Sequence, residues 1–571
     1  MDINDKRLDS LLTEIETVRR RRILDYSNSK DIRFIDPYHY TDKLKINNNH
    51  IILGRRGCGK TTLFLKIIES QGNQQSIIVD CQPIKNKGIN SILIDIMKSI
   101  IKYLLDYYKT DLNKFHDDYK KTFGGLKAIK KYFNKNHELI VKKKNLEILK
   151  LNLELLRLKI EKIATLPEVV EISKNQEISK ERKSSIQTKK DIKTKLGINS
   201  NLLSAVPEMN GIIDAIVDIE LQSSMVHSTE NLTSHKENIT QNEKIVKLKA
   251  EYLNELKNGF ADLFYEFQKQ TSKSLVLYMD DFYLIDSKNQ PDIIQYLHDV
   301  YKITRNSAFC FKMSALPYRI KTNPTGNYDF SFKDDFSIIR LDVDLSDFDN
   351  LKNYLFDIAS NLKPELDISS GELISLFNSP QSLNYTLLAA GGIPRDFLII
   401  LSDLVNLART ENRKNITREN IYKIVNQLRQ DKDQNIEYDT DIPTEIIREA
   451  VSQINSKVID DLNTNIILYP ADTAKEHESL LKNMSNLRYM HLIKENISSE
   501  SRKNKTFHAY LIDMTFYPIA KRMKGDFNFR EFWIKDEKHR LPHLHRAPIW
   551  NFEFDKENNK IILEYNKNLE N

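Results

Sequence analysis

The chain has 571 residues, 40% of them hydrophobic and 29% charged, with 15 glycines and 15 prolines, a globular composition that excludes collagenous and wholly disordered readings. At about 150 residues per domain it is long enough for roughly three to four folded units. The formal net charge of +6 is weak evidence about partners, but from Lys482 to Arg546 there are 14 lysines and arginines against 7 acids, enough to account for the whole excess.

No run reaches the roughly 18 apolar residues of a membrane span, and the start Met1-Asp2-Ile3-Asn4-Asp5-Lys6 lacks a signal peptide's apolar core. A cytoplasmic protein with no membrane association is therefore expected. Cys58, Cys81 and Cys310 are too few for a disulfide framework and too widely spaced for a metal box.

In chain order, residues 1–46 read as a polar leader carrying the basic run Arg19 to Arg22. His50 to Leu53 is a short apolar strand, followed at once by Gly54-Arg55-Arg56-Gly57-Cys58-Gly59-Lys60-Thr61 and by apolar positions at helical spacing. This octapeptide is G-x-x-x-x-G-K-[ST] in its required strand-to-helix context. Gly54, Gly57 and Gly59 free backbone amides to face phosphates, with Cys58 a small side chain within the loop. Lys60 neutralises phosphate oxygens, Thr61 ligates Mg²⁺, and Thr62 completes the binding set. ATP with Mg²⁺ is the implied ligand. A second strand, Ser76 to Cys81, comes soon after.

Residues 105–269 read as a helical, coiled-coil insertion. Leu146, Leu149, Leu153, Leu156, Ile160 and Ile163 keep heptad spacing, a narrow seam that wants a partner helix, either in an antiparallel hairpin of this chain or on another subunit or protein. Residues 47–104 and 270–345 together form the α/β core. In its second half Leu275 to Met279 is an apolar strand ending in Asp280-Asp281, the pair expected to hold Mg²⁺ (Asp280) and to orient or deprotonate the attacking water (Asp281). Helix Gln290 to Thr304 and strands Ala308 to Ser314 and Ser337 to Val343 follow, the alternation of a parallel sheet. Ser314, at a strand end, is the candidate polar sensor of the γ-phosphate, with Lys312 as rival. Arg319, just beyond, is the candidate finger for a neighbouring subunit's nucleotide.

Residues 346–430 are wholly helical, a lid in which Gly391-Gly392-Ile393-Pro394-Arg395 starts a helix and aims Arg395 at the γ-phosphate. A polar linker follows at 431–441. Residues 440–571 read as a basic winged-helix-like domain: helices, then strands Leu487 to Ile493 and Thr506 to Asp513 around a tip where Arg502, Lys503 and Lys505 would contact double-stranded DNA. Asp536, His539, His543 and His545 make a weak metal set, because no cysteine joins them and Pro542 interrupts their helix. Phe532, Trp533 and Trp550 are packing anchors.

Together the glycine loop, Asp280-Asp281 and Gly392-Ile393-Pro394-Arg395 before a helical lid resemble AAA+ P-loop ATPases, nearest the ORC/CDC initiator-like branch, over about residues 40–100 and 270–430 and more loosely 440–525. The resemblance implies a P-loop NTPase parallel sheet core with a helical lid and a C-terminal winged-helix domain, and an ATP-switched, often homo-oligomeric machine that grips or remodels DNA. Asp281 stands where the family usually has Glu, and Ser314 where it has Asn, both of which put fast hydrolysis in doubt. Doubled Asp also occurs in STAND-type signalling ATPases, the alternative class, in which nucleotide stays bound and a protein effector is recruited. A P-loop kinase is a third, weaker option. A role in phage or mobile-element defence suits such a build, but no residue carries it.

Overall fold

A computed structural model describes residues 1–19, 34–70, 72, 74–123, 132–173, 178–196, 212–217, 219, 244–317, 319–320, 328–343, 345, 347–435, 440, 442–502, 504–517, 530–534 and 542–570. The strands in chain order are β1 His50–Leu53, β2 Gln74–Asp80, β3 Val169–Ser173, β4 Lys244–Leu248, β5 Ser274–Asp280, β6 Phe309–Ala315, β7 Ser337–Arg340, β8 Ile466–Pro470, β9 Met490–Ser498 and β10 Thr506–Ile512.

Five of them form one sheet in the order β2-β5-β6-β1-β7, every neighbouring pair parallel. Parallel strands joined by helical crossovers are covered on both faces, so their sequences are apolar almost throughout; β1, β5 and β6 are buried at every position. The order places β6 between β1 and β5. The glycine loop leaving β1 and the acids leaving β5 therefore emerge on the same edge, one strand apart, with the end of β6 between them.

One face of the sheet is covered by the long helices Ile89–Phe123, Tyr132–Thr165 and Lys249–Thr271 together with Gln290–Ile303. The heptad residues Leu146, Leu149, Leu153, Leu156, Ile160 and Ile163 share one buried core with Ile92, Leu104, Phe260, Phe264 and the sheet residues Leu277 and Phe311. The seam thus has its partner helices within this chain. A contact with another subunit through these residues, one of the two expectations for them, is not available, because their faces are already filled. The region is also not purely helical: β3 and β4 pair antiparallel at its base.

The lid comprises helices Phe348–Ser360, Ser370–Ile374, Pro380–Ala389, Pro394–Thr410 and Arg418–Asn435. Its apolar core is continuous with two other parts of the chain. Ile3, Leu8, Leu11 and Ile15 of the N-terminal helix Lys6–Arg19 join it, and so do Ile447, Leu468, Met484, Leu511 and Trp533 of the C-terminal unit. The segment read as a leader is in fact tied to the lid, where Arg409 donates to Asp9 Oδ1 at 2.6 Å. Helix Arg418–Asn435 extends into the first residues of the expected linker, where tertiary partners hold its last turn: Lys432 pairs with Asp513 at 2.8 Å and the Tyr489 hydroxyl donates to Asp433 at 3.0 Å.

The C-terminal unit runs helix Thr444–Gln453, β8, short helices Ala471–Glu476 and Glu478–Asn486, then β9 and β10, with sheet order β8-β10-β9, antiparallel throughout. Strand β8 escaped the sequence reading because its five residues carry no alternation; all but the last are buried. Trp533 packs on Phe348 of the lid with ring centroids 5.8 Å apart, and Trp550 lies 4.7 Å from Phe552. Both are packing anchors, as expected.

Candidate active site

The loop after β1 bends through two glycines with left-handed φ, Gly57 at 87° and Gly59 at 98°, conformations that cost a residue with a Cβ about 1–2 kcal/mol. Gly57 is also a point of close approach. A Cβ there would lie 2.9 Å from Arg395 Cβ and 3.1 Å from Ile393 Cγ2, so the lid turn rests directly on the phosphate loop. The contact is fixed by the Arg395 amide, which donates to Gly57 O at 3.2 Å. Cys58 is buried, and burial pushes its thiol up to about 11, which suits a packing role and not a reactive one.

Lys60 opens the helix Lys60–Glu69, and its ammonium is folded back onto the loop, donating to Gly54 O at 2.6 Å and Arg55 O at 3.1 Å. Thr61 Oγ1 donates to Asp280 Oδ2 at 2.6 Å, so the two expected metal ligands face one another across the end of the sheet.

Asp280 is 3% exposed, and its second oxygen accepts from Ser314 Oγ at 2.6 Å. The same hydroxyl accepts from the Asp281 amide at 2.8 Å. Ser314 is fully buried and does not border the cavity. The structure thus places it behind the acids, not against a γ-phosphate, and it is a positioning residue for Asp280 and Asp281. Lys312 is not a sensor either: it sits two residues earlier in β6, fully buried, and donates to Ile46 O at 2.9 Å. Asp281 leaves the strand at φ 52°, a left-handed conformation that short polar residues tolerate, and borders the cavity.

That cavity, about 470 Å³, is lined by both polar and apolar side chains. Arg56, Lys60, Thr61, Thr62, Asp281 and Arg395 are among the polar ones, and Phe34, Tyr354, Ile358, Leu362 and Leu398 among the apolar ones. The volume and the mixed lining suit a nucleotide, whose base needs apolar contacts and whose phosphates need the loop's donors. Burial comes first among the causes holding the Arg395 guanidinium below its ordinary value; Asp396 opposes it, and Arg488 and Arg56 add to it. An anion beside Arg395 would relieve that crowding.

A second set of residues, not foreseen, joins the loop to the rest of the molecule. Arg55 donates to Asp342 Oδ1 at 3.2 Å, to Gly391 O of the lid turn at 2.9 Å and to His491 Nδ1 of β9 at 3.2 Å. The ring's other nitrogen, Nε2, lies 2.8 Å from Asp513 Oδ2, and Lys432 holds the remaining Asp513 oxygen at 2.8 Å. Arginine only donates, so Nδ1 accepts and His491 is the neutral tautomer with its proton on Nε2. Arg488 pairs with Asp396 and donates to Arg56 O at 3.3 Å. These contacts span as many as 436 sequence positions, and no local pattern announces them.

The pH consequence follows from signs. Burial lowers His491 below its ordinary value, Asp513 opposes this, and Arg55 and Lys432 add to it. Burial would raise Asp513, but Lys432 and His491 outweigh it and hold the carboxyl below the usual range. Both folded values lie below the unfolded ones, so each contribution is present above the unfolded pKa and lost as pH falls. The histidine part fades below about pH 6.5 and the carboxylate part below about pH 4. In thermal melts from about pH 7.5 down to about pH 5.5, His491→Gln should lose less stability than the wild type, because it has no imidazole to protonate. Equal slopes would remove His491 from the account. Comparing slopes is necessary because His50, His298 and His477 are lowered too.

Of the other sequence candidates, Arg319 lines a neighbouring cavity formed within this same chain, between the core and the C-terminal unit. Arg502 and Lys505 are exposed at the β9–β10 tip; Lys503 lies outside the described residues, as do Asp536 and His539. His545 Nδ1 lies 3.1 Å from Ser498 Oγ, bracing the hairpin. Among the described residues no helix is long and apolar enough to cross a membrane.

No protein-family model and no curated protein matches this chain. Similar solved structures include Cdc6p from Pyrobaculum aerophilum (11% identity, 86% of this chain and 95% of that one, TM-score 0.28) and a Walker-type ATPase of Pyrococcus abyssi (9%, 83% and 92%, TM-score 0.33). Drosophila ORC bound to DNA is another (10%, 90% and 90%, TM-score 0.30). These likenesses are loose, and the fold assignment rests on the chain's own geometry. By its glycine loop, its β2-β5-β6-β1-β7 order and the acids at the end of β5, the chain has a P-loop NTPase fold, a parallel sheet core with a helical lid.

Proposed function

We propose that the chain binds and hydrolyses Mg-ATP and couples nucleotide state to its C-terminal unit, which engages double-stranded DNA. The observation that carries the first part is the convergence of Thr61, Asp280 and Ser314 within hydrogen-bond distance beside the loop-lined cavity. Thr61 and Asp280 would hold Mg²⁺, which supplies charge neutralisation for the β- and γ-phosphates. Lys60 exchanges its loop carbonyls for phosphate oxygens, Asp281 orients and deprotonates water at the cavity wall, and Arg395 meets the γ-phosphate from the lid. Hydrolysis is slow in this reading, because the Asp281 carboxylate is one methylene shorter than a glutamate.

The lid shares its core with the C-terminal unit, so a change in how Arg395 sits on the loop reaches β9 and β10 as a rigid-body shift. The unit's helix, strand, two helices and hairpin are read here as a winged helix, with Arg502 and Lys505 at its exposed tip supplying salt-dependent phosphate contacts. Replacing both by Ala should weaken duplex binding at low salt by about tenfold and reduce the salt slope by about two. Binding that is undetectable in the wild type, or unaltered in the variant, would remove the DNA part. A second reading, a nucleotide switch that recruits a protein with little turnover, is favoured by one feature: Arg55 of the phosphate loop bonds His491 of the C-terminal unit directly.

A further inference from the structure

Beside the nucleotide cavity lies a second one of about 310 Å³, bounded by the phosphate loop, the end of β6, helix Arg418–Asn435 and the turn before β9. Arg55, Arg56, Arg319, Arg395, Lys432 and Arg488 line it, against a single acid, Asp431. Asp342, Asp513 and Asp396, which pair with Arg55, Lys432 and Arg488, come to them from outside the lining. Arg56 and Arg395 line both cavities, so the two adjoin at these residues.

Six cations against the carboxylates of Asp342, Asp396, Asp431 and Asp513 leave an excess of positive charge that an anion would offset, the more so where side chains are partly withdrawn from water. The side chain of Arg55 is 14% exposed, that of Lys432 18% and that of Arg488 25%. Guanidinium forks suit tetrahedral oxyanions, and the space is large enough to admit one phosphate. Asparagine Asn486 and the apolar Leu316, Leu428 and Leu487 complete the walls, which leaves no acceptor-rich surface for a metal.

We propose that this second cavity is an orthophosphate site, which receives the phosphate group after it has left the nucleotide and holds it against the C-terminal unit. The assignment rests on the ATPase reading. Two sources supply the same ligand: phosphate from solution, and phosphate made next door. In the latter, a water oxygen bonds to the γ-phosphorus, the bond from that phosphorus to the bridging oxygen breaks, ADP keeps the electron pair, and the water's proton passes to Asp281. Occupancy would draw Arg488 and Arg319 together, so that the C-terminal unit distinguishes ADP with phosphate from ADP alone.

The test uses the full chain saturated with Mg-ADP and inorganic phosphate as the probe, with binding followed by equilibrium dialysis of labelled phosphate. One phosphate should bind per chain with millimolar or better affinity, and Arg319→Gln should weaken it by about tenfold while ADP affinity stays the same, since Arg319 does not border the nucleotide cavity. Arg488→Gln should do likewise, with a melting curve to show that the unit remains folded. In single-turnover reactions with ATP, a phosphate-binding reporter should detect phosphate later than ADP forms, and Arg319→Gln should close that gap. Phosphate that binds equally well to both variants, or not at all to a chain that binds ADP, overturns the proposal and leaves the ATPase reading standing. Failure to bind ADP overturns the ATPase reading itself.

Discussion

Replacing Lys60 by alanine should abolish nucleotide binding at concentrations that saturate the wild type, a loss of about 100-fold or more, while the protein stays folded. The size follows from the bonds involved. The ammonium would make charge-assisted hydrogen bonds to phosphate oxygens, each contributing about 1.5–3 kcal/mol, and about 2.8 kcal/mol is already a hundredfold in affinity. The effect on the empty protein is smaller, because the Lys60 ammonium donates to Gly54 O and Arg55 O, within its own loop. Isothermal titration with ATP and a melting curve measure the two separately. Wild-type affinity in this variant would mean that the loop is not the phosphate site.

Asp281→Asn should do the opposite: nucleotide affinity within about threefold of the wild type and a hydrolysis rate lower by about 10² to 10⁴, the usual contribution of a positioned general base. Asparagine is the appropriate substitution because it keeps the side chain's size and tolerates the left-handed backbone at φ 52°. The Asp281 amide still donates to Ser314 Oγ, so the Asp280 arrangement is preserved. Phosphate release measured under single-turnover conditions reads the step directly. Unchanged hydrolysis would move the base elsewhere and leave Asp281 a structural residue.

These two residues were legible in the sequence for a physical reason. A phosphate loop is local, since its glycines, its lysine and its hydroxyl lie within eight positions between a strand and a helix, and β5 announces itself as an unbroken apolar run ending in acids. The lid turn was equally local, and the structure sets Arg395 on the loop through Gly57. What escaped was long-range. Ser314 reads as a sensor by its position at a strand end, yet sheet order makes β6 the middle strand, which points its hydroxyl at both acids from behind. Arg55 and Arg56 look like filler in the motif, while Arg488 and His491 look like ordinary strand and turn residues. Only the docking of the C-terminal unit on the loop gives them their roles. The heptad seam showed that those helices need partners; that the partners are the chain's own helices depends on the packing of segments far apart in sequence.

The most direct test of a magnesium-bound triphosphate at the junction of loop and acids is pulsed electron paramagnetic resonance with Mn²⁺ in place of Mg²⁺ and ATP bound. The wild type should show phosphorus hyperfine coupling to the metal, and Asp280→Asn should bind Mn²⁺ with ATP about tenfold more weakly. Phosphorus coupling that is absent in the wild type, or metal affinity indifferent to Asp280, would contradict the account.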